Sequence, residues 1–111
     1  MSYFAVIREA GPGWTPGKAM LEQPGVNHHA VFMNELAQSG VVLVAGPLAG
    51  TEHGRLRALL IINAEREAEI HARLADDPWT TARRLQITSI ESWHPLVGAE
   101  HLRPTQTAPH A

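Results

Sequence analysis

Three short apolar runs constrain the fold more than any other feature: Tyr3 to Arg8 (YFAVIR), Val41 to Leu48 (VVLVAGPL) and Leu56 to Asn63 (LRALLIIN). Each is rich in aliphatic or β-branched residues and too short for a stable helix, so each reads as a strand. In the first, Tyr3, Ala5 and Ile7 fall on one face and Phe4 and Val6 on the other, and both faces are apolar. The second and third are separated by Gly50-Thr51-Glu52-His53-Gly54, the composition of a hairpin connection, and are expected to pair antiparallel. Leu85 to His94 (LQITSIESWH) reads as a fourth strand.

Helical patterning fills the intervals. Asn27 reads as the N-cap of a helix from His28 to about Ser39, with Gly40 placed to end it in the left-handed conformation. Asn63 reads as the cap of a second helix, about Ala64 to Ala75, whose Glu65 and Glu67 suit the positive end of the macrodipole. Asp77-Pro78 opens a further short turn, because proline after a capping aspartate is a start signal. Glu9 to Gly25 carries Gly11-Pro12-Gly13, Pro16-Gly17 and Pro24-Gly25, a connection longer than the ~12 to 15 residues at which structureless loops become uncommon. Such loops are often lids or binding loops.

The order is βαββαβ, the ferredoxin-like α+β sandwich. It occupies residues 1–94 as one domain. Residues 95–111 lack periodicity and are expected to be a poorly ordered tail. A four-stranded sheet with its helices on one face should be polar on the other, yet the first three strands are apolar on both. A second copy packing sheet against sheet is the economical cover, so a homodimer through the sheet faces is expected.

Composition removes several classes of function. The 111 residues are 44% hydrophobic and 18% charged, with 9 basic against 11 acidic residues and a net charge of -2. With no basic cluster beyond Arg83-Arg84, nucleic acid finds few phosphate contacts. No run approaches the ~18 to 20 apolar residues of a membrane span, and Met1-Ser2-Tyr3-Phe4 lacks the basic flank of a secretory signal, so a cytoplasmic protein is expected. The absence of cysteine excludes disulfides, a thiolate nucleophile and iron–sulfur clusters. The seven histidines form no His-x-His, His-x-x-x-His or His-Glu-x-x-His pattern, so no metal site is expected. Neither Gly11-Pro12-Gly13 nor Gly46-Pro47 belongs to a strand–loop–helix phosphate cradle.

His29 and the adjacent aspartates are the candidates that remain. On a helical wheel at about 100° per residue, His29 shares the apolar stripe with Leu36, Met33, Val26 and Phe32, while Glu35, Asn34 and Gln38 lie opposite. An imidazole aimed into an apolar layer needs a hydrogen-bond partner. From wheel position alone, a core histidine bonded to a backbone carbonyl is the commoner case, and His28 reads as its solvated neighbour. Asp77 alone reads as a helix N-cap and Asp76 as a solvated charge. Asp77 with His29 makes a carboxylate–histidine pair, which suits proton abstraction or delivery on a small molecule. Trp14, in the long loop, either closes over a ligand or staples the loop to the body. Met20 and Met33, with Trp79 and Trp93, read as packing residues.

The residues also resemble a known family. Tyr-Phe-Ala-Val-Ile-Arg-Glu (Tyr3 to Glu9) with its Gly-Pro-Gly-Trp loop, His-Ala-Val-Phe-Met (His29 to Met33), Ala-Gly-Pro-Leu (Ala45 to Leu48) and Ala-Asp-Asp-Pro-Trp (Ala75 to Trp79) look like the YCII-related (YciI-like) proteins over nearly all of residues 2 to 94. The resemblance implies a dimeric α+β barrel assembly and a histidine–aspartate pair falling on His29 and Asp77. It also implies cofactor-free chemistry on small, often aromatic or chlorinated compounds, including dehydrochlorination. The chain departs from the pattern after Asp77-Pro78-Trp79, where the family usually shows a glycine and this sequence reads Thr80-Thr81-Ala82-Arg83-Arg84.

The leading reading is a cofactor-independent lyase or isomerase, with His29 as general base and acid, Asp77 orienting it, and Arg8 and Trp14 lining the pocket for a small-molecule ligand. The alternative is a non-catalytic dimeric small-molecule-binding or accessory protein. Direct hydrogen-bond reach between His29 and Asp77 at a pocket favours the first; a backbone partner for His29 in a closed core favours the second.

Overall fold

The computed structural model describes residues 2–49 and 55–102. The chain runs β1 (Tyr3–Ala10), α1 (Val26–Gln38), β2 (Val42–Pro47), β3 (Arg57–Asn63), α2 (Glu67–Leu74), the single turn α3 (Pro78–Thr81) and β4 (Leu85–Trp93). The four strands form one antiparallel sheet in the order β2-β3-β1-β4, a topology compatible with the ferredoxin-like fold. The hairpin connection at 50–54 and the chain beyond Leu102 lie outside the described residues. A 3₁₀ turn at Ala99–Leu102 follows the expected domain end.

Period-2 alternation sorts the strands into two faces. Phe4 and Val6 of β1, Val42 of β2, Leu60 and Ile62 of β3 meet Leu36 of α1 and Ile70 and Leu74 of α2 in the main core, which places both longer helices on one side. Full burial of an aliphatic side chain such as Ile62, Ile70 or Leu74 contributes roughly 1.5–3 kcal/mol. The other face carries Ala5, Ile7, Leu59, Ile61 and Val44, as the register requires. Among the described residues no helix covers it, and Val44 and Trp93 are exposed.

Two helix starts differ from the sequence expectation. The first helix begins at Val26, not His28, because Gly25 at φ 78 turns left-handed as its N-cap and leaves Asn27 inside the helix. The second begins at Glu67, not Ala64. Asn63 donates its N–H to Val41 and Ala64 donates to Ser2, so the sheet claims both residues before a helix can start. Gly40, at φ 82, follows the helix end as expected.

The long loop is pinned to the body. Gly11 donates its N–H to the carbonyl of Arg84, and Gly13 donates to Arg83, both at 2.8 Å. A Cβ on Gly13 would stand 2.1 Å from the Ala82 carbonyl oxygen, so only glycine permits this approach. Gly13→Ala is expected to cost about 1–3 kcal/mol as the loop backs away from the α3–β4 turn, readable as a lowered midpoint in chemical unfolding. Buried Gln23 closes the loop from within: it accepts the Thr15 N–H and donates to the Thr15 and Lys18 carbonyls. In the same turn Arg83 takes φ 60, within the stretch where the family resemblance leads one to expect glycine.

Candidate functional site

Three elements converge beneath the helix layer. Arg8 shares the inward phase of Phe4 and Val6, and a register shift against β4 falls between Ile7 and Arg8. His29 lies in the first turns of α1, where its N–H donates to the Gly25 carbonyl. Asp77 is the N-cap of α3, accepting the Trp79 N–H on Oδ1 at 2.9 Å, so the helix start expected at Asp77-Pro78 is present.

The Asp77 carboxylate joins these residues. His29 Nδ1 lies 3.0 Å from Oδ1 and 2.9 Å from Oδ2, and Arg8 donates from Nη1 to Oδ2 at 2.9 Å. Arg8 donates from Nη2 to Thr80 Oγ1 at 2.7 Å. Asp77 is 0% exposed and Arg8 1%. Burial alone pushes the Asp77 carboxyl up, but the hydrogen bonds from His29 and the Trp79 N–H, with the charges of Arg8 and His29, hold it below the usual carboxylate range. Burial likewise lowers the Arg8 guanidinium from its ordinary value, against the pull of Asp77. An ionised carboxylate can only accept, so Nδ1 carries the proton and donates it. When the ring is neutral, Nε2 therefore holds a lone pair.

The second ring nitrogen has no partner among the described residues, and His29 lines a cavity of about 190 Å³. Arg8 and His29 are the two polar members of a wall otherwise made by residues such as Met20, Met33, Leu56, Leu60 and Leu85. An apolar cavity of about 150 Å³ is enough for benzene, so one substituted ring fits. The concave, apolar shape with few convergent polar groups is that of a small-molecule site.

One face of the imidazole is covered. Trp79 stacks on His29 with centroids 4.0 Å apart and planes 9° from parallel. Its indole N–H donates to the Pro24 carbonyl at 2.8 Å, which ties it to the start of α1. Trp79 thus fixes His29 through its ring and Asp77 through its main-chain N–H. By sequence alone Trp79 reads as packing, since nothing in Asp-Pro-Trp shows which ring the indole will meet, and Thr80 carries no signal for the same reason.

The other expectations separate. His28 is exposed, as the wheel suggested, and so is Asp76. Trp14 is 4% exposed and packs edge-on against Trp79 at 5.9 Å; it is not among the residues lining the cavity. The anchored loop turns Trp14 inward, behind Trp79. Arg8 does line the cavity, but its terminal nitrogens are engaged by Asp77 and Thr80. Among the described residues no group of three or more His, Asp or Glu side chains could hold a metal ion, and no helix is long and apolar enough to cross a membrane.

The fold and this site define a small α+β protein in which a carboxylate-held histidine faces an apolar cavity. The chain belongs to the YCII-related domain family, which matches residues 3–94. Among solved structures it is similar to 5-chloro-2-hydroxyhydroquinone dehydrochlorinase (TftG) from Burkholderia phenoliruptrix AC1100 in complex with 2,5-dihydroxybenzoquinone. The identity is 26% and the TM-score 0.56, over 83% of this chain and 93% of that one. Comparison with curated proteins gives no match.

Proposed function

We propose that the chain is a cofactor-independent lyase acting on a small hydroxylated ring, with loss of hydrogen chloride as the reaction to test first. The observation that carries this reading is His29 Nδ1 held by a buried carboxylate while Nε2 is left to an apolar cavity. The similarity to a dehydrochlorinase, whose complex holds a dihydroxylated quinone ring, supports a small-molecule enzyme role and suggests the ring chemistry. Binding alone needs no such orientation of an imidazole.

In this reading Nε2 takes the proton of a ring hydroxyl and returns it to the chlorine-bearing carbon, giving the keto tautomer. A second hydroxyl then gives up its proton while chloride leaves with its bonding pair. One HCl is lost, a quinone remains, and no external oxidant is consumed. Asp77 orients the imidazole and balances its charge; Arg8 holds Asp77. Chloride release from chlorinated hydroxyhydroquinones, followed in buffer without added metal or cofactor, should match quinone formation mole for mole. No chloride from any such ring, or turnover only with an added nicotinamide or flavin, would reject the reading.

We also infer that a second copy covers the outer sheet face, giving the dimeric barrel assembly. Ile7, Leu59, Ile61, Val44 and Trp93 line up there, and an apolar face of this kind marks an interaction surface. Sedimentation at micromolar concentration should give twice the chain mass; a species of single-chain mass would sink the inference.

A further inference from the structure

We propose that a second cleft, between the end of α2, the α3–β4 turn and β4, binds a small organic monocarboxylate through the Arg83 guanidinium. The cleft has a volume of about 390 Å³, and His71, Thr80, Arg83 and Gln86 stand around an apolar floor that includes Leu74 and Leu85. It shares only Leu85 with the lining of the cavity at His29, so the two are separate sites. The floor is dry: Leu74 is 1% exposed and Leu85 3%. Charge on the wall has one sign. Arg83 is its permanent cation, no acidic residue lines it, and among the described residues no carboxylate pairs with Arg83.

The backbone at Arg83 points the same way. Its N–H donates to the Thr80 carbonyl and the Arg84 N–H donates to the Trp79 carbonyl, the paired bonds that close a helix on a left-handed residue, where glycine is the usual occupant. Arg83 meets that demand at φ 60. The turn cannot relax, because Gly13 and Gly11 donate to the Arg83 and Arg84 carbonyls, so the strain is held in place. Glycine would fit more cheaply, but only a long cation puts a guanidinium at this cleft. Thr80 adds a donor. Its Oγ1 accepts from Arg8 Nη2 at 2.7 Å, and its own O–H has no acceptor among the described residues, which leaves that proton to the cleft.

A carboxylate matches this wall in charge and in shape. The planar guanidinium pairs with two coplanar oxygens, and the His71 imidazole, the Thr80 hydroxyl and the Gln86 amide are further donors. One permanent cation balances one negative charge. The aliphatic floor takes an apolar body, which inorganic phosphate lacks.

The probe is benzoate, with benzyl alcohol as its neutral counterpart and inorganic phosphate as an anion without an apolar part. Each is titrated into the labelled full chain and followed by amide NMR shifts. Benzoate should move the Thr80, Arg83 and Gln86 amides in a saturable way, and the other two should bind roughly tenfold or more weakly. Arg83→Gly removes the cation and suits the left-handed backbone, so it should stay folded by circular dichroism and lose roughly tenfold or more in benzoate affinity. His29→Gln should bind benzoate as the wild type does, which separates this cleft from the cavity at His29. The proposal is overturned by the absence of saturable shifts at Thr80, Arg83 and Gln86, or by unchanged affinity in folded Arg83→Gly. Loss of benzoate binding in His29→Gln, or benzyl alcohol or phosphate binding as tightly as benzoate, would overturn it equally.

Discussion

His29→Ala is expected to lower kcat for chloride release by about 10²- to 10⁴-fold, the usual contribution of a positioned acid–base group. The loss should fall on kcat more than on KM, because the cavity wall that binds the ring is mostly apolar and made by other residues. His29 is only part-buried, with 17% of its side chain exposed, so the variant should remain folded. Steady-state kinetics alongside far-UV circular dichroism separates the two effects. Unchanged turnover in a folded variant would remove His29 from the mechanism.

Asp77→Ala is expected to be the most destabilising single change at the site. It removes the N-cap of α3, the carboxylate that holds Nδ1, and the counter-ion of Arg8 in one step. Breaking a buried pair by deleting one partner typically costs about 3–5 kcal/mol, since the remaining charge is stranded. Asp77→Asn retains a cap oxygen but cannot balance Arg8, so it should be less destabilised and still impaired in turnover. The wild-type pH profile has a defined sign. The folded carboxyl sits below its unfolded value, so its contribution to stability is complete above the unfolded pKa and is lost as pH falls through the folded one. Thermal melts should show a steady Tm around neutral pH and a fall on acidification, and Asp77→Asn should lack the part of that fall due to this carboxyl. Equal acid slopes in both proteins would contradict the assignment.

Much of this site is legible in the sequence. Period 2 in Tyr3 to Arg8 puts Arg8 in phase with Phe4 and Val6, and period 3.6 puts His29 in the stripe of Met33 and Leu36. Asp77 announces its cap through the following proline. Helix starts were less legible, because they depend on partners far along the chain. Asn63 is a good cap by type, yet its N–H is claimed by Val41, and the helix waits until Glu67. Gly25 displaced Asn27 because a left-handed residue after Pro24 can begin the helix earlier.

Trp14 and Trp79 show the limit most plainly. Both are tryptophans beside turn residues, and no local pattern distinguishes a lid from a brace. The distinction depends on Gly11 and Gly13 reaching the Arg83–Arg84 backbone, which fixes the loop and sets Trp14 edge-on behind Trp79. The sequence by itself determined the strand and helix order, the apolar character of both sheet faces and the identity of the acid–base candidates, because these follow from local periodicity and side-chain chemistry. Only the tertiary structure decided that Asp77 binds Arg8 and His29 together and that Trp79 lies flat on the imidazole. Those contacts join residues from β1, α1 and α3, and their geometry is set by packing that no local stretch of chain contains.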